Sequence, residues 1–278
     1  NKYFNKTPPR LAKDASKSDM FTLANLGLDI RLLGRKQMQE FLRLIGMNIR
    51  DEVVEKFENK LLRGAISLDA VLGTHLGPRS PNTIVTYLHR LVVGGKFSQP
   101  VGGMGSVTEL LAKVARDYGV TIRTEMPVER IEVHNGTVTG VKTRSGEKFS
   151  SNLIVSNADP KSTIMCLVGA KNVETGFTRR VHHIRSQGNA AKLHLALDGL
   201  PKVTGLNDTE FGERLVIAPD EMYVERAFNH AKYGEASANP VFEICFPSVN
   251  DPNICPEGKH IMSAVVQYLP CNLKDGWS

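Results

Sequence analysis

Asn135-Gly136 lies between two alternating runs, Val128–His134 and Thr137–Thr143, and that pattern commits this stretch of the chain to a tight β-hairpin. Asn and Gly readily take the positive φ angles a two-residue turn demands, while the alternation gives each strand one face to bury. Around the hairpin the sequence predicts an amphipathic helix, Ser106–Tyr118, stopped by Gly119, then a short strand, Val120–Arg123. Gly146 turns the chain again, and the apolar run Leu153-Ile154-Val155 fits a buried strand. Helix, strand, hairpin and strand in so short a stretch make a compact α/β unit.

Both flanks have a different texture. The loop Gly94–Gly105, which includes Gly95-Lys96-Phe97, leads into the unit, and Asp159-Pro160 leads out of it. Before it, residues 16–63 carry a helical apolar pattern, with Asp51 opening a short helix through Phe57; these helices are expected to pack on a core. Gly73–Pro81 reads as a loop, and Asn82 caps a helix over Thr83–Val93. After the unit come short helices (Pro160–Leu167, Glu174–Ile184) and strands at Ala191–Asp198, Arg214–Ile217, Val241–Phe246 and Ile261–Gln267. With a helix near Asp220–Lys232, this predicts a mostly antiparallel sheet with helices on one side. The class is therefore α/β (α+β), in three stretches: residues 1–101, helical; residues 102–159, the α/β unit; and residues 160–278, dominated by the sheet.

Composition narrows the function classes. With 278 residues, 41% hydrophobic and 23% charged, the chain can bury a core and is neither a disordered tail nor a coiled coil. No apolar run approaches the roughly 18 residues of a membrane span. Residues 1–100 hold 16 Lys/Arg against 9 Asp/Glu, so they carry all of the +6 net charge. Acids interleave with those bases, which favours solvated helix faces over a phosphate-binding surface. Aromatics, at 6%, are too scarce for the stacking platforms of a single-strand binder.

Cys166, Cys245, Cys255 and Cys271 fit no redox or zinc spacing; Cys166 and Cys245 lie in apolar runs and read as small hydrophobes. His182-His183 stand among Arg179, Arg180 and Arg185, which would repel a metal cation, and no HExxH motif exists, so no metal is expected. G-x-S-x-G and P-loop motifs are likewise absent. The sequons at Asn5 and Asn207 have no secretory signal beside them and read as chance. Scattered thiols suit a reducing compartment, the cytoplasm of a bacterium or the mitochondrial matrix.

The loop Gly102-Gly103-Met104-Gly105 is not a dinucleotide fingerprint, because GxGxxG is not met and Pro100 interrupts the strand that would precede it. A Gly cluster opening a helix still allows a ligand close to the backbone. From the residues alone, the reading ends at a two-part α/β chain with a Gly-rich junction.

A resemblance carries it further. Gly102-Gly103-Met104-Gly105, Pro127-Val128, Gly136-x-Val138-x-Gly140-Val141 and Val155-Ser156-Asn157-Ala158-Asp159-Pro160 resemble the phytoene desaturase family of flavoproteins, whose architecture is that of amine oxidases. Further landmarks run in order along the chain: Asp69–Gly73, Lys192–Pro201, Glu243–Ser248, Asp251-Pro252, Gly258-x-His260 and Gln267-Tyr268-x-Pro270.

The resemblance implies a partial FAD/NAD(P)-binding domain inserted in a substrate domain. The N-terminal Rossmann GxGxxG unit and the C-terminal segment closing over the flavin are missing, so the chain is expected to be internal to a longer protein. It implies FAD, held poorly by this stretch alone, and an apolar small-molecule substrate dehydrogenated by hydride transfer to the flavin. The strand starting at Val128 would run beside the adenine; Ser156, Asn157 and Ala158 would lie near the flavin; Gly102, Gly103, Met104 and Gly105 would form the domain junction. It assigns no catalytic acid or base. Two other readings stay open: a flavoprotein-like scaffold acting through protein partners without turnover, and a basic nucleic-acid or anionic-lipid binder. Peripheral membrane contact by the early helices is a further expectation; nucleic acid is not expected as a partner of the enzyme.

Overall fold

The computed structural model describes residues 9, 15–94 and 98–277, so Asn1–Phe4, the Asn5 sequon and Gly95-Lys96-Phe97 lie outside the described residues. Two compact units emerge: Asn1–Ser106 with Gln187–Ser278, and Val107–Ser186. The division falls inside a helix at one end and places residues 160–186 with the hairpin.

The first unit begins with helices α1 (Lys17–Leu32), α2 (Arg35–Gly46), α3 (Ile49–Lys56), α4 (Lys60–Val71) and α5 (Thr83–Gly94). Each break has a local cause. Ser16 caps α1 in a reciprocal box with Asp19, Asn48 caps α3 through the Asp51 N–H, and Asn59 caps α4 through the Leu62 N–H. Asp51 therefore sits in the first turn of α3 and does not open it. α4 buries Gly64, Ser67, Leu68 and Val71, the spacing of one helix face. The expectation that the early helices pack on a core holds for α2, whose Leu44 is partly buried against it, but needs correction for α1, which buries no residue and leaves Met20, Phe21, Leu28 and Leu32 exposed.

α6 (Gly103–Asp117) follows, and the second unit continues with β1 (Val128–His134), β2 (Thr137–Thr143) and β3 (Lys148–Ser150), an antiparallel sheet in sequence order. The hairpin forms as its turn residues dictate, with φ of 50° at Asn135 and 76° at Gly136. Ser162–Gly169 then winds as a π-helix, packed on β1, and α7 (Thr175–His182) is capped by Glu174.

Two strands expected here do not form. Among the described residues Val120–Arg123 has no neighbouring strand; Arg123 instead pairs with Glu147 at 3.0 Å and lies over the Phe149 ring at 5.0 Å. Leu153-Ile154-Val155 is extended but unpaired, with Leu153 74% and Val155 89% exposed. An apolar run signals burial only if something is present to cover it, and among the described residues nothing does. Cys166 and Cys245 are exposed too, so neither acts as a buried hydrophobe.

Back in the first unit, β4 (Ala190–Leu197), β5 (Leu215–Ile217), α8 (Glu221–Lys232), β6 (Val241–Cys245), α9 (Pro247–Asn250) and β7 (His260–Gln267) complete the chain. The sheet order is β4-β7-β6-β5, antiparallel throughout, with β4 and β7 in unbroken register from Ala190↔Gln267 to Leu197↔His260. The core joins α3, α4 and α5 to α8 and the ends of β6 and β7: Val53, Leu68, Val71, Ile84, Val224, Phe228, Val241 and Tyr268 are all buried.

Candidate functional site

Val128 opens β1, pairs with Thr143 and is 38% exposed. β1 is the sheet edge, so beyond it there is no further strand among the described residues. The Arg144 N–H donates to the Pro127 carbonyl at 2.9 Å and fixes the entry to the strand. A backbone edge of this kind can present an N–H and a C=O to a planar ring whatever its side chains are.

Ser156, Asn157 and Ala158 are exposed and tied locally. Ser156 Oγ accepts from the Ala158 N–H at 3.3 Å and lies 2.8 Å from Thr163 Oγ1. Asp159 caps the helical turn that leads into the π-helix by accepting from the N–H groups of Lys161 (2.9 Å) and Ser162 (3.0 Å). The Ser162 side-chain hydrogen bond, and then its backbone N–H, hold the Asp159 carboxyl below its ordinary value. A lowered pKa means a stabilising cap that is complete above the ordinary aspartate pKa and is lost as the pH falls through the lowered one. An NMR titration of Asp159 should show a midpoint below that of a free aspartate; a midpoint at or above it contradicts the cap.

In the first unit, Gly102 has φ of 80° and precedes α6, whose Val101 and Met104 flanks are 81% and 70% exposed. Its N–H donates to Asp251 Oδ2 at 2.6 Å, and the Gly103 N–H donates to the Pro100 carbonyl at 3.0 Å. The anion position at this helix start is thus filled by a carboxylate of the chain itself. The sequence reading, which left the Gly cluster open to a ligand, missed this partner.

A half-buried charge quartet was missed as well. Arg214 Nη2 lies 2.5 Å from both Asp69 Oδ1 and Glu243 Oε2, and Arg90 Nη2 lies 3.4 and 3.3 Å from the same two atoms. The quartet ties α4 and α5 to the sheet. Burial alone would lower the Arg214 pKa, but the hydrogen bond to Asp69 and the charges of Asp69 and Glu243 outweigh it and raise it. Arg214→Met leaves two carboxylates facing one guanidinium and should cost about 1–3 kcal/mol, since partial exposure limits the loss. Urea unfolding of the variant checks this; an unchanged midpoint contradicts it. Asp69 and Glu243 both stand in the sequence landmarks, but a lone acid there carried no sign of its partners.

A cavity of about 340 Å³ lies elsewhere in this unit, lined by Leu200, Thr209, Ser248, Pro252, Cys255 and His260 among others. None of the sequence-designated site residues lines it. Among the described residues no cluster of His, Cys, Asp or Glu is placed to hold a metal ion.

The sequence pattern of the flavin containing amine oxidoreductases matches residues 32–265, which spans the hairpin unit and most of both flanks. The chain belongs to that family. It is 28% identical over 260 residues to the mouse pyridine nucleotide-disulfide oxidoreductase domain-containing protein 2, covering 88% of this chain and 45% of that relative. It is 30% identical over 159 residues to the neurosporene-forming phytoene desaturase of Cereibacter sphaeroides, covering 57% of this chain and 30% of the relative. An oxidoreductase from Methanosarcina mazei shares the fold at a TM-score of 0.56 and 17% identity, over 86% of this chain and 53% of that structure. The chain thus spans about half the length of these relatives or less, 45% in the mouse protein. No helix among the described residues is long and apolar enough to cross a membrane.

Proposed function

We propose that this chain supplies the substrate domain and a portion of the cofactor domain of an FAD-dependent oxidoreductase of the phytoene desaturase type. The observation that carries this reading is the family match over residues 32–265, which takes in the inserted α/β unit and the domain it interrupts. The residues present fit the cofactor. Val128, on a sheet edge with no further strand beside it among the described residues, offers backbone groups for the adenine. Each unit by itself offers exposed backbone against which a flavin can lie: Ser156, Asn157 and Ala158 in the second, and Gly102, Met104 and Gly105 in the first, where the carboxylate at Gly102 argues against a phosphate. The chemistry a bound flavin supplies is acceptance of a hydride equivalent from the substrate.

The uncovered apolar residues of the second unit support the same reading. Leu110, Leu111, Val114 and Tyr118 of α6 are 61%, 64%, 43% and 86% exposed, besides Leu153 and Val155. Apolar surface on that scale marks a contact site, and the remainder of a flavin domain is the partner we propose for it. The substrate we propose is apolar. Leu193 and Leu195 of β4, two residues apart and so on one side of the strand, stay 38% and 40% exposed and can contribute to a hydrophobic wall.

The test is spectroscopic. Anaerobic addition of a lipidic polyene to the whole flavoprotein should bleach its flavin band. A band that stays oxidised with every such donor, in a protein that nonetheless binds flavin, overturns turnover in favour of the scaffold.

A further inference from the structure

We infer that Asp251 is a positioning residue that clamps the Gly102–Gly105 opening of α6. The inference rests on the proposal that this opening faces the flavin, but every contact that carries it lies within the first unit.

Asp251 is 7% exposed and uses both carboxylate oxygens. Oδ2 accepts from the Gly102 N–H at 2.6 Å and Oδ1 from the Asn253 N–H at 3.3 Å. A carboxylate at a helix N-terminus meets both an unsatisfied N–H and the positive end of the helix dipole, which makes the bond short and strong. The cap comes from a residue far along the chain, so it holds two elements together where a local N-cap would hold only one. Beside it, Gln99 Nε2 donates to the Pro247 carbonyl at 3.0 Å, a second tie between the same two segments.

The platform bearing Asp251 is itself held from several sides. Ser248, 2% exposed, accepts from the Ile261 N–H of β7 at 3.0 Å and lies 3.1 Å from His260 Nδ1. Asn250 Nδ2 donates to the Gly212 carbonyl at 2.7 Å, and Phe246 meets Phe211 edge-on at 5.0 Å. Position is therefore passed from the sheet through α9 to the Gly-rich backbone. A buried carboxylate also makes this helix start unfavourable for a phosphate.

Hydrogen exchange on the whole flavoprotein tests the clamp. In Asp251→Ala, amides 102–106 should exchange at least tenfold faster while the β7 amides keep their rates. Asp251→Asn retains an acceptor oxygen and should restore most of the protection; if the Ala variant does not fold, the Asn variant should still show a rise of about threefold at those amides. Unchanged exchange at 102–106 in either folded variant overturns the inference. In the same samples, a shifted flavin absorption spectrum and an FAD affinity at least fivefold weaker should accompany the faster exchange. Faster exchange with the spectrum and affinity unaltered upholds the clamp and retires the flavin-facing reading of Gly102–Gly105.

Discussion

Replacing Tyr268 with Ala is expected to remove about 3–5 kcal/mol from the first unit, enough to unfold a domain of ordinary stability under mild denaturant. Tyr268 is fully buried; its ring lies 5.5 Å from that of Phe228, and its hydroxyl donates to the Leu76 carbonyl at 3.0 Å. Burial, and then the nearby Glu225, push its phenol well above the ordinary tyrosine range, so it stays a neutral donor. Its backbone has φ of 72°, a costly conformation that persists because the N–H donates to the Asn189 carbonyl at 2.7 Å and the ring fills the core. Next to it, Gln267 accepts from the Gly73 N–H at 3.0 Å and donates to the Thr74 carbonyl at 3.0 Å. The pair thus pins the loop after α4 to the end of β7. Tyr268→Phe keeps the ring and should cost only about 1 kcal/mol. Urea unfolding of the two variants separates packing from hydrogen bonding, and equal losses would contradict this account.

Gly64→Ala should be nearly as damaging, by about 3 kcal/mol, because a methyl group there would stand 1.9 Å from the Ala218 carbonyl oxygen and 2.8 Å from its carbon. Those atoms are backbone and cannot swing aside, so α4 would have to leave the turn before α8. Gly27→Ala, inside α1 with nothing within 4 Å, is the opposite case. It should stabilise by about 0.5–1 kcal/mol through helix propensity alone. Melting the two variants side by side tests the contrast, and a neutral Gly64→Ala would mean that α4 does not approach so closely.

The sequence disclosed what depends on local chemistry. Asn135-Gly136 made the hairpin because that turn needs those residues, and Asp220, whose side chain accepts from the Tyr223 N–H, starts α8. Alternation in Ala191–Asp198 marked the strand that forms as β4, Ala190–Leu197, even though it became an edge strand. What the sequence hid depends on partners distant in the chain. Leu153-Ile154-Val155 has the composition of a buried strand, yet burial requires neighbours that composition does not reveal. Asp69, Glu243 and Asp251 all stand in stretches that resemble the family, but nothing in their spacing shows that Arg214 would join the first two or that Gly102 would meet the third. Gly102–Gly105 was legible as a helix opening and not as one already capped. For Val128 and Ser156–Ala158 the structure shows backbone that is edge-like or exposed, and their roles stay with the proposal.

We propose that residues 102–159 are one piece of a flavin domain, and no GxGxxG pyrophosphate-binding turn occurs within residues 1–278. The most direct test is the flavin content of two purified proteins, this chain alone and the whole protein that contains it. The account predicts one FAD per whole protein and only a small fraction per isolated chain. Stoichiometric flavin retained by residues 1–278 on their own would contradict it.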